Sequence, residues 1–568
     1  MRQLLEEVSA KVCRLLMLLS MLFVGVVACQ SLHASTQDYE SSSDAEEVAI
    51  EALAPADENE SFNNALSELA TASFSKKQTI TSELVAKRYP GSRSVLVALL
   101  ENQLYADKLS GKVLILAEKD GEKVYYDAIS GELISDSVLD TKRITTNNSL
   151  RKKLRGDIAI FDLNSDDRNV RLAAVQQLRE VVDQNVAVML REQRSIEQDD
   201  DVAEEIRVTL AIFDLGSEDP AVRLAAVDEL DGELGNDVFN QISALLQSEE
   251  NREVIKAAEA AIKRIEGKRD FYSLLETAFF GLSFGSVLVL AAIGLAITFG
   301  VMGVINMAHG ELIMLGAYTT FVMQQLLPNH IGLSIVLSIP AAFLVSGLVG
   351  IAIERGIVRF LYGRPLETLL ATFGVSLILQ QLVRTIFSPL NRSVQTPEMM
   401  SGLLRFNEVF AVTYNRLYIL IFTFIVFAGL WLILNKTSLG LKVRAVSQNR
   451  QMARAMGVRT ARVDALTFGL GSGVAGIAGV ALSQLTNVGP NLGQAYIIDS
   501  FMVVVFGGVG NLWGTLVGGM TLGVATKFLE PHVGAVVAKI IMLVFIILFI
   551  QRRKQGLFPQ KGRAASGA

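Results

Sequence analysis

A step in charge and hydropathy at residue 271 constrains this chain more than any other feature. Residues 1–270 hold 31 Lys and Arg against 49 Asp and Glu, a net charge of −18, whereas residues 271–568 hold 21 against 9, a net charge of +12. The overall value of −6 therefore describes neither part. In the second part, apolar runs of spanning length fall at 274–298, 332–353, 368–388, 417–434, 465–486 and 534–550, with Gly-rich ones at 310–327 and 496–529. A helix needs about 20 apolar residues to cross the hydrocarbon core of a bilayer. The fold class expected is thus mainly α, with a polytopic α-helical membrane domain behind an acidic, water-compatible region.

The N-terminus places Arg2, Lys11 and Arg14 ahead of the apolar run LLMLLSMLFVGVVA, followed by small and polar residues. This pattern predicts a secretory signal over residues 1–34, which puts the next part of the chain outside the cytoplasm. Two other readings stay open: a lipoprotein cleavage site in VVAC, ending at Cys29, and an uncleaved signal anchor. Cys13 and Cys29 are the only cysteines, so a chain cut at Ala34 can hold no disulfide and no Cys-based metal or redox site. Residues 35–60 are acidic and poor in large apolar residues, as suits a solvated linker. Residues 61–148 join a helical stretch to an apolar/polar alternation around Asp120-Gly121, which predicts a hairpin within a small α+β unit.

Residues 149–268 carry an internal repeat. AIFDLNSDDRNVRLAAVQQL at 159–178 matches AIFDLGSEDPAVRLAAVDEL at 211–230 in 14 of 20 positions, at an offset of 52, and a weaker third copy ends at Ile265. Asp219 and Pro220 supply an N-cap and a first helical residue. Helix pairs of this kind resemble HEAT-type repeats, which bury their faces against neighbours. Two roles stay open for them, a spacer that stacks on itself and a docking surface for another exported protein.

Basic residues of the second part gather at Arg355, Arg359 and Arg364, in seven positions from Lys436 to Arg462, and at Arg552-Arg553-Lys554. The positive-inside bias makes these cytoplasmic. With the repeat region outside, the number of crossings is odd. Nine fits if 496–529 supplies two short or re-entrant passes, and seven is the alternative. The 389–416 loop then lies outside despite Arg392, Arg405 and Arg416. The membrane domain is expected over 269–556, with a cytoplasmic tail at 557–568.

Within this apolar part, the stretch VINMAHGELIMLGAY carries Asn306, His309 and Glu311. Ionisable groups facing lipid are costly, so these three are expected to face a cavity or a protein partner. Gly300, Gly303 and Gly310 permit a broken helix lining a cavity, and a short cytoplasmic turn whose Asn and His cap helices is the other reading. Residues 437–466 hold a helical segment, QMARAM, that ends at Gly457 on the basic side. Residues 499–519 hold Gly507, Gly508, Gly510, Gly514 and Gly518, which allow close helix packing or a re-entrant loop. GxxxxGK[ST] and HExxH patterns are absent, and neither ATP hydrolysis nor another enzymatic activity is expected of this chain.

GLAITFGVMGVINMAHGELIMLGAY (294–318), RPLETLLATFGVSLILQQ (364–381), SLGLKVRAVSQNRQMARAMGV (438–458) and VVVFGGVGNLWGTLVGG (503–519) together resemble permeases of the branched-chain amino acid type of bacterial ABC importers. Within that group, the signal and the long exported region resemble the larger permease subunit of the urea ABC transporter. The resemblance implies an inner-membrane importer subunit with its N-terminal domain in the periplasm. Its implied partners are a homologous second permease, two cytoplasmic ATPases and a periplasmic solute-binding protein, with membrane lipid around it and no nucleic acid. ATP is then used by the partner subunits, and this chain binds no cofactor or metal of its own. The resemblance also implies that 438–458 is the ATPase-coupling loop, matched at Gly440, Arg444, Ala445, Asn449, Ala453 and Gly457. Asn306, His309 and Glu311 become translocation-path or gate residues, with urea, a branched-chain amino acid or a short amide as the solute. A passive urea or amide channel and a membrane-anchored sensor are the readings from other classes.

Overall fold

The computed structural model describes residues 56–108, 110–119, 122–135, 141–179 and 181–558. The expected signal, most of the linker and the last ten residues of the tail lie outside the described residues. Two compact units meet in sequence between Lys268 and Arg269.

The first unit opens with helices α1 (Ala56–Thr71), α2 (Phe74–Lys87) and α3 (Ser92–Leu100). The first helix begins inside the stretch read as linker. An antiparallel sheet follows, β1 (Leu104–Asp107), β2 (Val113–Lys119), β3 (Glu122–Asp127), β4 (Leu133–Ser135) and β5 (Thr141–Arg143), in the order β4-β3-β2-β1-β5. Lys119 pairs with Glu122, so the β2–β3 link is the expected two-residue one. Its Asp120 and Gly121 lie outside the described residues.

The repeat comprises α4 (Asn148–Asp162), α5 (Arg168–Leu178) and α6 (Gln184–Ile196), then α7 (Asp200–Asp214), α8 (Pro220–Glu229) and α9 (Asn236–Ser248), and a new first helix, α10, from Arg252. The unit that repeats every 52 residues is therefore a trio of helices, not the pair expected, and the weak third copy is the first helix of the next trio. Leu150 and Leu154 of α4 share a core with Phe62, Leu84 and Leu104, so the apolar interior crosses the boundary drawn at 148. Each trio is closed by the same clasp. Arg171 donates to both carboxylate oxygens of Glu197 at 3.0 and 2.9 Å, and Arg223 to those of Glu249 at 2.6 and 2.8 Å. The remaining guanidinium nitrogen binds the carbonyls of Ser165 and Asp166, or of Ser217 and Glu218.

In the second unit, α10 (Arg252–Met302) is followed by α11 (His309–Leu326), α12 (Ile331–Gly356), α13 (Pro365–Phe387) and α14 (Tyr414–Lys436). Then come the short α15 (Ser438–Gln448) and α16 (Arg450–Ala455), and α17 (Thr460–Ser483), α18 (Leu492–Gly507), α19 (Leu512–Val533) and α20 (Ala535–Arg552). Seven of these are long and apolar enough to cross a membrane: α10, α12, α13, α14, α17, α19 and α20. Outside these seven stand α11, at 18 residues, and the shorter α18, at 16. Of the two passes expected between 496 and 529, one is short and the other, α19, has full length. The 389–416 loop holds a small ribbon, β6 (Leu403–Arg405) against β7 (Ala411–Thr413).

Helix α17 is the hub of the bundle, with 94% of its spanning window buried. Glycines make this possible: Gly471 lies on Gly294 of α10, and Gly476 lies on Ala342 of α12 and on Gly316 of α11. Lipid tails are as apolar as leucine, so helices in a bilayer associate through close backbone approach, not through burial from water.

Candidate functional site

The site forms where α10 stops. Gly303 takes a left-handed backbone, φ 62°, and turns residues 303–308 out of the helical path. The Asn306 side-chain oxygen accepts the Ala308 N–H at 3.0 Å, and the Met307 N–H donates to Thr372 Oγ1 of α13 at 3.1 Å. His309 opens α11, and its Nε2 lies 2.9 Å from the Ala291 carbonyl. Ala291 sits eleven residues before the end of α10, roughly 16 Å back along the helix axis. The break thus doubles back along α10, and α11 starts inside the bundle.

Glu311 sits at the same depth. Its Oε1 accepts the Ser376 hydroxyl at 2.9 Å and the Gln380 amide at 2.7 Å. These are one helical turn apart near the middle of α13, so the carboxylate is held well away from either end of that span. Asn306 and His309 have no exposed surface, and Glu311 has 1%. Asn306 Nδ2, His309 Nδ1 and Glu311 Oε2 have no hydrogen-bond partner among the described residues. A buried carboxylate oxygen with no donor is costly, and a bound solute that supplies an N–H removes that cost. The three predicted residues share one buried break, yet each side chain has its own partner; among the described residues no side-chain hydrogen bond joins any two of them, and only the His309 N–H meets the Asn306 carbonyl, at 3.4 Å.

A second helix begins here. Gly493, in the first turn of α18, rests backbone to backbone on Gly310 of α11. Two helix N-termini therefore meet beside Glu311, and their partial positive charge favours an anion at this depth. One turn beyond Gln380 on α13, Arg384 donates to Asn491 Oδ1 at 2.7 Å, just ahead of α18. Hydroxyl, amide and guanidinium groups thus follow one another along two turns of α13, with the Glu311 carboxylate of α11 as acceptor beside the first two, a set able to hold a small solute that both donates and accepts.

The matched positions of 438–458 shape a helix–turn–helix. Gly440 lies against the Leu434 backbone of α14, and Arg444 donates to the Leu434 carbonyl at 2.7 Å and to Asn435 Oδ1 at 3.1 Å. The Ala445 carbonyl accepts the Asn449 N–H at 3.1 Å, and Asn449 Oδ1 caps α16 through the Met452 N–H at 2.8 Å. Ala453 is buried, and Gly457 ends the segment at φ 84°. Leu441, Met452 and Met456 stay exposed. The third group packs: Gly507 lies on Gly514 with Gly518 beside it, Gly508 lies by the Phe558 carbonyl, and Gly510 lies on Gly300. At the same place, the Leu557 and Phe558 N–H groups bond to the carbonyls of Phe506 and Gly507.

Sequence reasoning missed Ser376, Gln380 and Arg384, although their i, i+4, i+8 spacing in an apolar run was the available signal. It also missed Asp464, fully buried against Arg450, and Asp499, which meets Lys539 at 3.1 Å.

This is a multi-pass membrane protein with a polar break buried at mid-depth, the architecture of a solute permease. Residues 277–550 match the family described as branched-chain amino acid transport system / permease component. The chain is 30% identical over 298 residues to the high-affinity branched-chain amino acid transport system permease protein BraD of Pseudomonas aeruginosa, covering 51% of this chain and 96% of that protein. It is 30% identical over 290 residues to the corresponding protein LivH of Escherichia coli K12, covering 49% and 94%. The ribose import permease protein RbsC of Bacillus subtilis is 29% identical over 134 residues, covering 22% of this chain and 42% of that one. No solved structure matches. The chain belongs to the family of branched-chain amino acid transport system permease components. About half of it accounts for nearly the full length of BraD and LivH, which leaves the other half without a counterpart in them.

Proposed function

We propose that this chain is the larger permease subunit of an ABC importer that moves urea across the cytoplasmic membrane. Separate ATPase subunits energise it, a homologous permease completes the pore, and a periplasmic binding protein delivers solute. The observation that carries the reading is the free, buried Oε2 of Glu311, beside Ser376 and Gln380 at mid-depth. Urea is small and neutral, donates through two amides and accepts through a carbonyl, so it matches a carboxylate and an amide without bringing in net charge. The first half of the chain, absent from the amino acid permeases compared, supports a separate branch of the family. That half is a periplasmic domain with HEAT-like stacking, and transport runs by alternating access around the break at 303–308.

A second reading has its own support. Arg384 lies one turn beyond Gln380 and can pair with a carboxylate, so a zwitterionic amino acid fits Glu311 and Arg384 together, and the relatives' names point the same way. Uptake of radiolabelled urea, with leucine and acetamide as competitors and with and without the ATPase subunits, separates these. ATPase-dependent urea uptake that leucine does not compete supports the urea importer. Leucine uptake moves the assignment to the amino acid branch, and ATPase-independent flux moves it to a channel.

A further inference from the structure

We infer that Arg450 and Asp464 form the tie through which the cytoplasmic helix pair α15–α16 moves the transport bundle, with Tyr362 and Glu354 holding the guanidinium in place. The inference rests on the importer reading above.

The tie is one charged cluster drawn from four elements. Asp464 lies in the second turn of α17 with no exposed surface, and Arg450, the first residue of α16, reaches both of its carboxylate oxygens, one of them at 3.3 Å. The same guanidinium stacks on the Tyr362 ring, 4.4 Å from the centroid. The Tyr362 hydroxyl donates to Glu354 Oε1 at 3.3 Å, and Glu354 is buried near the end of α12. A planar fork that is bidentate on one edge and stacked on one face can neither rotate nor be replaced by a flexible ammonium without loss of geometry. Apart from this tie, α16 buries only Ala453 in a small apolar cluster with Val443, Val446 and Val463.

Two features give the tie direction. Val301, one residue before the end of α10 and two before Gly303, packs on that same apolar cluster. Helix α17, held by the tie at its start, carries Gly471 against Gly294, and Gly294 is itself in contact range of His309. A displacement of α16 is thus delivered to both walls of the buried break, by apolar contact through α10 and by the ion pair through α17. Arg450 and Asp464 are positioning residues, distant from the solute.

The test uses the full complex with its ATPase subunits in proteoliposomes, reading ATP hydrolysis and solute uptake on the same preparation. Arg450→Lys and Asp464→Asn are expected to keep ATPase subunits bound and hydrolysing near the wild-type rate while solute moved per ATP falls at least tenfold. Tyr362→Phe, which keeps the ring and loses the hydroxyl, is expected to fall less than either. A purely structural role predicts instead that hydrolysis and uptake fall together in proportion to assembled complex, with the ratio unchanged, and that result overturns the inference. An unchanged ratio in a well-assembled Arg450→Lys complex also overturns it, whatever Asp464→Asn does to folding. Wild-type complex that moves neither urea nor amino acid in the same assay counts against the function reading, not against the tie.

Discussion

The two units solve the same problem, packing helices side by side, with opposite chemistry. The repeat unit buries leucine and valine from water and finishes each trio with a largely buried Arg–Glu clasp. The membrane unit has no water to escape from between its helices. It brings backbones together at glycine, and its few buried charges sit at the break, at the Arg450–Asp464 cluster and at the Asp499–Lys539 pair. Charge in the first unit is thus a fastening, and in the second it is buried and few in number, as is expected where a membrane bundle keeps ionisable groups away from lipid.

The largest effect expected from breaking this contrast is at a glycine crossing. In Gly316→Val the added side chain overlaps the Gly476 backbone, which cannot give way, at a cost of about 3 kcal/mol or more. Purified protein is expected to lose its monodisperse peak on size exclusion. A normal peak with an unchanged melting temperature would show that the hub is not held by backbone contact.

A smaller effect is expected at the clasps. The Arg223 guanidinium and the Asn251 N–H hold the Glu249 carboxyl down to about 2, against about 4.3 for an unperturbed glutamate. A depressed carboxyl contributes stability that is in full effect above the unfolded value and is lost as pH falls through the folded one. Thermal unfolding of the repeat unit should therefore shift downward between about pH 4 and pH 2. Glu249→Gln should lower the melting temperature at pH 7 and flatten that dependence. The smallest effect is expected from Gly156→Ala in α4, where the new methyl meets only the end of the Val181 side chain. A rotamer change there should keep the cost below about 1 kcal/mol. A Gly156→Ala loss as large as that of Gly316→Val would erase the distinction between the two units.

Much of this was legible in the residues. The charge step falls at 271, and the two compact units divide between Lys268 and Arg269; such a step is visible because transfer energies are read directly from composition. The 52-residue period was visible in side chains that face the core, whereas the third helix of each trio has a diverged sequence and left no match. Gly303 with Asn306, His309 and Glu311 marked the broken helix, since polar groups inside an apolar run demand partners. The partners themselves were hidden. Ser376 and Gln380 sit 65 and 69 positions away from Glu311 in a run that reads as an ordinary span. The starting depth of α11 was equally hidden, because it follows from residues 303–308 doubling back along α10, a path that no local periodicity records.

Uptake by Glu311→Ala, with the assembled complex quantified in the same membranes, tests the central claim most directly. The account predicts loss of ATP-dependent uptake while the ATPase subunits still co-purify at wild-type yield. Wild-type uptake by Glu311→Ala, with the complex equally intact, would contradict it and remove the buried break from the translocation path.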